Sequence, residues 1–329
     1  MTVCISVAGG LISLDIIYRA YCIIINTAAA ESEIETMQRC ASCGIAEGDD
    51  IKLKKCTACH LVRYCSVKCQ KDHRKQHKKE CKKRAAELKD EILFKQPESS
   101  HLGDCPICCL PHPIDLSKSM LYPCCSKYIC KGCSFANEMR EYEERLEPKC
   151  PFCRKDKPKS EDESDELLMK RVEVNDPVVM RHFGAKRYTE RDYEAAFEYL
   201  TKAADLGDVD AHYQLSILYM NGQGVEKDEK KALHHTEQAA IRGHPFARHN
   251  LGWFEVKNGR VDKAVKHFII AAKLGYDESL ESVKNRYSVG DVSKDDYTAA
   301  LRGHKAAIEA IKSPQREAAD DLTKRAASM

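Results

Sequence analysis

Cysteine is the residue type in this sequence that points most directly to chemistry. The chain has 329 residues and 18 cysteines, and all but Cys4 and Cys22 lie between Cys40 and Cys153. Many stand in Cys-x2-Cys pairs, and such a turn presents two thiolates to one metal ion without strain. Thiol-rich segments can also form disulfides or reactive sites. The spacing favours zinc, which takes four tetrahedral sulfur or nitrogen ligands.

The first cluster offers eight donors, enough for two four-coordinate zinc ions. Its members are Cys40, Cys43, Cys56, Cys59, Cys65, Cys69, His77 and Cys81. His77 and Cys81 stand four residues apart, so they lie on one face of a helix and suit a second chelating arm.

This pattern resembles the MYND zinc finger, including Tyr64 before the fifth cysteine and Gln70 and Lys71 after the sixth. The resemblance implies a protein-binding module with two interleaved zinc sites. One site would be formed by Cys40, Cys43, Cys65 and Cys69, and the other by Cys56, Cys59, His77 and Cys81. The chain departs from the family at Arg74, where the family usually has a tryptophan.

The segment from Ile51 to Arg84 is strongly basic. It holds 13 Lys or Arg and two acidic residues, Asp72 and Glu80, whereas the whole chain has a formal charge of +2. A basic surface can bind nucleic acid. However, Tyr64 is the only aromatic residue of the segment, so bases find no stacking platform. We therefore expect solvated lysines and keep nucleic-acid binding as the weaker alternative.

A second cluster provides eight more donors, again enough for two zinc ions. They are Cys105, Cys108, Cys124, Cys125, Cys130, Cys133, Cys150 and Cys153. The set resembles an all-cysteine RING domain, with Lys127 where the common form has a histidine. The resemblance implies cross-braced sites, one formed by Cys105, Cys108, Cys130 and Cys133, and one by Cys124, Cys125, Cys150 and Cys153.

Two points of this second assignment stay open. Adjacent Cys124 and Cys125 would make a strained chelate on one ion, and Cys109 and His112 are alternative ligands. The RING resemblance also implies that Ile107, Pro151 and Arg154 bind a ubiquitin-conjugating enzyme. The alternative is that Ile107 and Pro151 are ordinary packing residues of their knuckles and that Arg154 is a solvated residue at the end of the domain.

The cysteine-free half of the chain repeats itself at intervals of 36 and then 32 residues. Each repeat has the pattern Ala-x3-Xaa-x2-Ala-Ala-x2-Gly, starting at Ala196, Ala232 and Ala264. Such spacing places the small residues on one helix face, and the glycine ends the helix in a left-handed turn. A partner helix follows each of the first two glycines, so the pattern predicts helix pairs stacked in a solenoid.

The loop from Asn221 to Val225, followed by Lys227 and Asp228, is similar to the signature of Sel-1-like repeats, relatives of tetratricopeptide repeats. A degenerate fourth unit from Ser279 to about Lys312 is expected to cap the stack. The histidines of this half, His234, His235, His244 and His249, are expected on solvated faces and loops rather than on a metal.

These patterns predict a mainly α protein, in which two small cross-braced zinc domains precede a Sel-1-like α-solenoid. The predicted order is an apolar, poorly ordered leader (1–36), the MYND finger (40–81), a helical and polar connector (82–100), the RING-type finger (105–154), a linker with a short helix (155–175), the repeats (176–312) and a tail (313–329). Asp15 and Arg19 interrupt the leader, so no membrane span is expected.

We therefore expect a cytoplasmic adaptor, with the nucleus as a second compartment, that binds four zinc ions. Its RING would recruit a ubiquitin-conjugating enzyme, and its MYND finger and solenoid would bind protein clients. Ligase activity is left open against the alternative of a non-enzymatic scaffold. No phosphate-binding loop or nucleophile elbow is found, and no catalytic residue is assigned.

Overall fold

The computed structural model describes residues 4–7, 10–13 and 39–327. They fall into two compact units that divide between Ile92 and Leu93, and each unit is described separately. Of the leader, the structure describes two antiparallel strands, β1 (Cys4–Val7) and β2 (Gly10–Ser13). The remainder of the leader, with its expected disorder, lies outside the described residues. In the described part of the chain, no helix is long and apolar enough to cross a membrane.

The first unit is a small cysteine-rich fold with one long helix. Strands β3 (Lys54–Lys55) and β4 (Arg63–Tyr64) pair antiparallel, and α1 (Val67–Leu93) follows them. Helix α1 begins at Val67, and just before it the Ser66 hydroxyl accepts the backbone N–H of Cys69. Leu53, Tyr64 and the cysteines form its buried core. A core this small contributes little hydrophobic stability.

The second unit begins with the other cysteine-rich segment. A short 3-10 turn (Leu116–Lys118) leads into β5 (Ser119–Tyr122), which pairs antiparallel with β6 (Lys127–Cys130). Helix α2 (Lys131–Glu143) starts directly after β6. Cys130 ends β6 and Cys133 lies in the first turn of α2, whereas the other six cysteines of the second cluster lie in turns and loops.

The rest of this unit is an array of helices. They are α3 (Glu161–Glu173), α4 (Pro177–Thr189), α5 (Tyr193–Asp205), α6 (Val209–Asn221), α7 (Glu229–Ile241), α8 (Pro245–Lys257), α9 (Val261–Lys273), α10 (Asp277–Ser288), α11 (Lys294–Ala310) and α12 (Pro314–Ala327). Helices α4 and α5, α6 and α7, and α8 and α9 pack as pairs. The fold is thus mainly helical, with a solenoid-like array after the cysteine-rich region.

The predicted helix faces are confirmed. The repeated positions are buried in α5, α7 and α9, where small side chains allow close helix contact. They are Ala196, Leu200, Ala203, Ala204, Ala232, Thr236, Ala239, Ala240, Ala264, Phe268, Ala271 and Ala272. The three terminating glycines, Gly207, Gly243 and Gly275, all have left-handed φ values near 90°.

Aspartates determine where several of these helices begin. The carboxylates of Asp192, Asp208 and Asp228 accept backbone N–H groups in the first turns of α5, α6 and α7. An aspartate at this position satisfies donors that have no partner within the helix. Helices α10 and α11 pack on α9. Helix α12, in the segment interpreted above as a tail, packs instead against α2 of the second cluster.

Candidate metal centres

The first cluster contains two groups of four donors. Cys40, Cys43, Cys65 and Cys69 form one group, whose ligand atoms all lie within 4.8 Å of one another. The Sγ atom of Cys65 is 3.6 Å from that of Cys43 and 3.5 Å from that of Cys69. Four sulfurs around one zinc, each bonded at about 2.3 Å, would stand roughly 3.8 Å apart. The donors therefore fit a zinc ion with little adjustment.

The second group interleaves with the first along the chain. It consists of Cys56, Cys59, His77 and Cys81, again within 4.8 Å. The Cys59 Sγ atom lies 3.1 Å from Nε2 of His77, and the Sγ atoms of Cys56 and Cys81 are 3.8 Å apart. His77 and Cys81 come from one face of α1, as the spacing predicts.

Tyr64 and His73 hold the His77 ring in place. The Tyr64 hydroxyl is 3.1 Å from Nδ1 of His73. The His73 ring stacks on that of His77 with centroids 5.8 Å apart. Burial raises the pKa of Tyr64 to about 12, so its hydroxyl stays neutral. Contacts to side chains outside the ligand set fix the orientation of a metal-binding imidazole.

The second cluster has the same cross-braced arrangement. Cys105, Cys108, Cys130 and Cys133 form one group, with the Sγ atoms of Cys108 and Cys130 3.8 Å apart. Helix α2 starts between two of these ligands, and the Cys130 sulfur accepts the backbone N–H of Cys133. Such a bond to a knuckle sulfur stabilises its thiolate form.

The adjacent cysteines Cys124 and Cys125 both belong to the remaining group, with Cys150 and Cys153. Their sulfurs reach different members of the far knuckle: Cys124 is 3.3 Å from Cys153, and Cys125 is 3.8 Å from Cys150. The turn between β5 and β6 permits this divergence, with Ser126 in the left-handed region at φ 54°.

The alternative ligands lie outside both groups of the second cluster. Cys109 is exposed and has a left-handed φ of 55°. His112 is buried, and its Nδ1 atom is 2.9 Å from the Ser119 hydroxyl.

Crowding of thiols shapes the electrostatics of these groups. A hydrogen bond from Cys130 lowers the pKa of Cys105 to about 3, and the same contact raises the pKa of Cys130. Burial raises the pKa of Cys133 to about 12. Four thiolates this close repel one another, and a divalent cation is the group that relieves that repulsion.

The residues expected to bind a conjugating enzyme differ in their exposure. Ile107 is 42% exposed, and Arg154 is also exposed with a left-handed φ of 63°. Pro151 is buried, whereas its neighbour Phe152 is 44% exposed. Each knuckle therefore presents one large apolar side chain to solvent.

Two arginines from outside the second cluster contact its cysteine-containing turns, and neither was predicted from the sequence. Arg171 of α3 donates to the Cys125 carbonyl at 2.9 Å and to the Ser126 hydroxyl at 2.5 Å. Arg316 of α12 donates to the Cys108 sulfur at 3.4 Å. Neither arginine stands in a motif, so no local sequence signal marks it.

A further group of donors brings His101, from the segment before the second cluster, together with Asp210 and His244 of the helical array. Nε2 of His101 is 2.7 Å and Nε2 of His244 is 3.2 Å from the same carboxylate oxygen of Asp210. The His244 Nδ1 atom accepts the backbone N–H of Ala247, so its proton must sit on Nε2, which then donates and cannot ligate. Arg181 also lies 3.5 Å from this carboxylate.

This group is therefore a buried hydrogen-bond network. Burial favours a raised pKa for Asp210, but the hydrogen bonds from His101 and His244 hold that pKa well below its usual value. The expectation that His244 is solvated is wrong: its side chain is 2% exposed, because it caps α8 from inside the array. Of the other histidines of that expectation, His234 is exposed, and His235 and His249 are half-buried.

Two known families match parts of this chain. Residues 38–81 match the MYND finger, and residues 179–208, 209–244 and 246–276 match the Sel1 repeat. The chain contains a MYND finger and Sel1 repeats. These matches confirm two of the three resemblances, and the likeness of the second cluster to a RING domain stays a prediction. A MYND finger together with Sel1 repeats supports a zinc-binding protein-interaction scaffold.

The curated relatives match short stretches of the chain. The putative beta-lactamase HcpC of Helicobacter pylori strain J99 is 43% identical over 56 residues, which are 17% of this chain and 19% of that protein. Chitin synthase regulatory factor 4 of Schizosaccharomyces pombe is 31% identical over 84 residues, 25% of this chain and 13% of that protein. The chain thus spans less than a fifth of either relative's length.

Two solved structures are similar over about half of the chain. A Sel1 repeat protein from Oxalobacter formigenes is 21% identical, with a TM-score of 0.41 over 50% of this chain and 50% of that chain. A protective antigen of uropathogenic Escherichia coli with an SLR fold is 30% identical, with a TM-score of 0.37 over 45% of this chain and 33% of that chain.

Proposed function

We propose that this chain is a zinc-dependent adaptor and a RING-type ubiquitin ligase. The second cluster recruits a ubiquitin-conjugating enzyme, and the MYND finger and helical repeats bind protein clients. The observation that carries the proposal is the grouping of the second cluster's eight cysteines into two cross-braced sets of four. A ligase of this kind needs no nucleophile, because it positions a charged thioester for attack.

Each of the four sets holds one zinc ion in this proposal. The sixteen ligands are those of the two clusters, and Cys109 is not among them. Zinc contributes about 10 to 16 kcal/mol of apparent binding free energy to a small finger. That is more than cores as small as these can supply.

The two knuckles of the second cluster form the surface for the conjugating enzyme. Ile107 and Phe152 provide exposed apolar contacts. Arg154 provides a planar guanidinium that can bond two carbonyls at once. Pro151 is buried, so its role in this proposal is to pack inside the second knuckle.

Self-ubiquitination with a panel of conjugating enzymes tests the ligase function. We expect ubiquitin chains on the zinc-loaded wild-type protein, and strong loss in Ile107→Ala and Arg154→Ala. Ile45→Ala is the matched control, because Ile45 is equally exposed (44%) but lies in the MYND finger. A folded, zinc-loaded protein that is inactive with every conjugating enzyme would leave a scaffold without ligase activity.

The MYND finger offers a cleft for clients. It has a volume of about 400 Å³, borders the proposed zinc ligands Cys56, His77 and Cys81, and is also lined by Tyr64 and Val67. Among the described residues, the lining of this cleft has no acidic side chain. It has four basic side chains, those of Lys71, Arg74, Lys78 and Lys82. Charge complementarity favours acidic client segments in this cleft.

Fluorescence polarisation with an acidic peptide tests client capture. We expect binding that weakens with salt and is lost in Arg74→Glu. Lys55→Glu, on β3 outside the cleft, serves as the charge-matched control. Equal loss in both variants would show a general charge effect and contradict a specific cleft. Tighter binding of single-stranded nucleic acid than of the peptide would support the nucleic-acid alternative.

A further inference from the structure

The C-terminal helix α12 approaches the second cluster very closely. Gly132, beside the ligand Cys133, has no side chain, and a Cβ atom there would lie 2.6 Å from the backbone nitrogen of Arg316. Lys118 Nζ is 2.9 Å from a carboxylate oxygen of Asp320 on α12. Ala319, one turn after Arg316, is 6% exposed. Helix α12 therefore packs backbone to backbone against the start of α2.

The Arg316 side chain reaches across this contact into the first knuckle. Its guanidinium donates to the carbonyls of Pro111 at 2.7 Å, Leu110 at 3.2 Å and Ile311 at 2.9 Å. It also donates to the Cys108 sulfur at 3.4 Å. Arg316 is 8% exposed. One buried cation thus joins the knuckle, the loop after α11 and the start of α12.

The charge of Arg316 suits this position. Four thiolates around one Zn²⁺ carry a net charge of −2. A guanidinium hydrogen-bonded to one of them partly neutralises that charge and withdraws electron density from the sulfur. Groups just outside the ligand set orient metal ligands and tune their reactivity.

We infer that Arg316 is a positioning residue for the metal site of Cys105, Cys108, Cys130 and Cys133, and that α12 is a structural part of that zinc domain. The inference rests on the proposed zinc at the second cluster. In the zinc-loaded chain, Arg316 holds the first knuckle and protects the Cys108 thiolate from electrophiles. The domain is then completed by a helix from the far end of the repeat array.

Residue-resolved alkylation of the zinc-loaded, full-length protein tests this role. N-ethylmaleimide labelling of each cysteine would be followed by peptide mass spectrometry. In Arg316→Gln we expect Cys108 to react several-fold faster, with the rates at Cys124 and Cys153 unchanged. Arg316→Lys should restore part of the protection. Zinc affinity of this site should fall about tenfold in a chelator titration.

A second variant tests the docking of α12 without touching Arg316. Gly132→Ala adds the Cβ atom that the close contact forbids, although alanine itself favours helix α2. We expect the same selective increase at Cys108. Lys324→Gln, a change of an exposed charge on α12, is the matched control and should leave every rate unchanged.

Several results would overturn the inference. An unchanged Cys108 rate in Arg316→Gln contradicts the role of Arg316, and an unchanged rate in Gly132→Ala contradicts the role of α12. A uniform rise at all eight cysteines shows that Arg316 only stabilises the fold. Zinc analysis separates these failures from failure of the zinc proposal: a wild-type protein without zinc on the second cluster overturns both, whereas full zinc loading with unselective alkylation overturns the inference alone.

Discussion

His267 is a fully buried imidazole to which the described structure gives no hydrogen-bond partner at either ring nitrogen. Its ring packs against Phe94, with centroids 4.8 Å apart. A buried polar group without a partner costs about 1 to 3 kcal/mol. We therefore expect His267→Leu to raise the free energy of unfolding by about 1 to 2 kcal/mol at pH 7, measured by urea unfolding of the zinc-loaded protein.

His249 provides the matched control for this substitution. Its Nε2 atom accepts the Trp253 indole N–H at 2.9 Å, and its Nδ1 atom is 2.8 Å from the Ser279 hydroxyl. His249→Leu leaves those partners unpaired, so it should lower stability. If both leucine variants shift stability in the same direction, the explanation by hydrogen-bond satisfaction is wrong.

The same residue predicts a pH dependence. Burial lowers the pKa of His267 to about 3, whereas an unfolded histidine titrates near 6.5. Below about pH 6.5 the unfolded chain takes up a proton that the folded chain does not, so the wild type loses stability as the pH falls. The advantage of His267→Leu should grow by about 2 kcal/mol from pH 7 to pH 5. Any zinc loss at low pH affects the wild type and the variant alike, so it cancels in the difference between their stabilities. A stability advantage that does not change with pH would contradict the lowered pKa of His267.

Residue types and local spacing predicted most of the candidate metal site. The ligand candidates were marked by their residue types and their close pairing along the chain, and all sixteen fall into the four groups that the MYND and RING resemblances implied. Arg316 and Asp210 could not be found in this way. Arg316 meets Cys108 across 208 positions, and Asp210 meets His101 across 109. Such contacts depend on how the helices pack, and no periodic pattern in the sequence predicts them.

At the scale of elements, the loop between α6 and α7 gives a sharp prediction. Gly224 has a φ of 66°, and a Cβ atom there would overlap the Tyr193 carbonyl at the start of α5. Gly259 has a similar φ of 72° but open space around it. Both Gly→Ala changes carry the left-handed backbone cost of about 1 kcal/mol. Gly224→Ala should cost about 1 to 3 kcal/mol more, measured by thermal or urea unfolding. Equal losses of stability in the two variants would mean that the loop shifts to accommodate the added Cβ atom without disturbing α5.

The repeat helices were predictable because burial of one face repeats at a fixed interval. Helix α4 was not singled out, although it pairs with α5 and begins the first matched repeat. Its buried residues include Met180, Phe183 and the charged Arg181, which do not follow the small-residue pattern. The buried Arg181 is held by Asp208, 3.1 Å away. A charged residue on the buried face interrupts the periodic pattern of apolar residues by which the other repeat helices were predicted.

At the scale of the whole molecule, the second cluster and the helical array form one compact unit. Arg171 and Arg316 join them, and Leu93 packs with Ala239 and Leu251 of the array. We expect chelation of zinc to unfold residues 40–153 and to leave the repeats helical, at a lower melting temperature because these docking contacts are lost. Circular dichroism and limited proteolysis measure both effects. Full loss of helix on chelation would show that the repeats do not fold without the zinc domains.

The zinc content of the intact chain tests the central claim most directly. Native mass spectrometry of the purified full-length protein should show four zinc ions per chain. The Cys69→Ser and Cys125→Ser variants should each lose one, from the first and the second cluster respectively. A wild-type protein with two zinc ions, and no change in Cys125→Ser, would contradict the account of the second cluster.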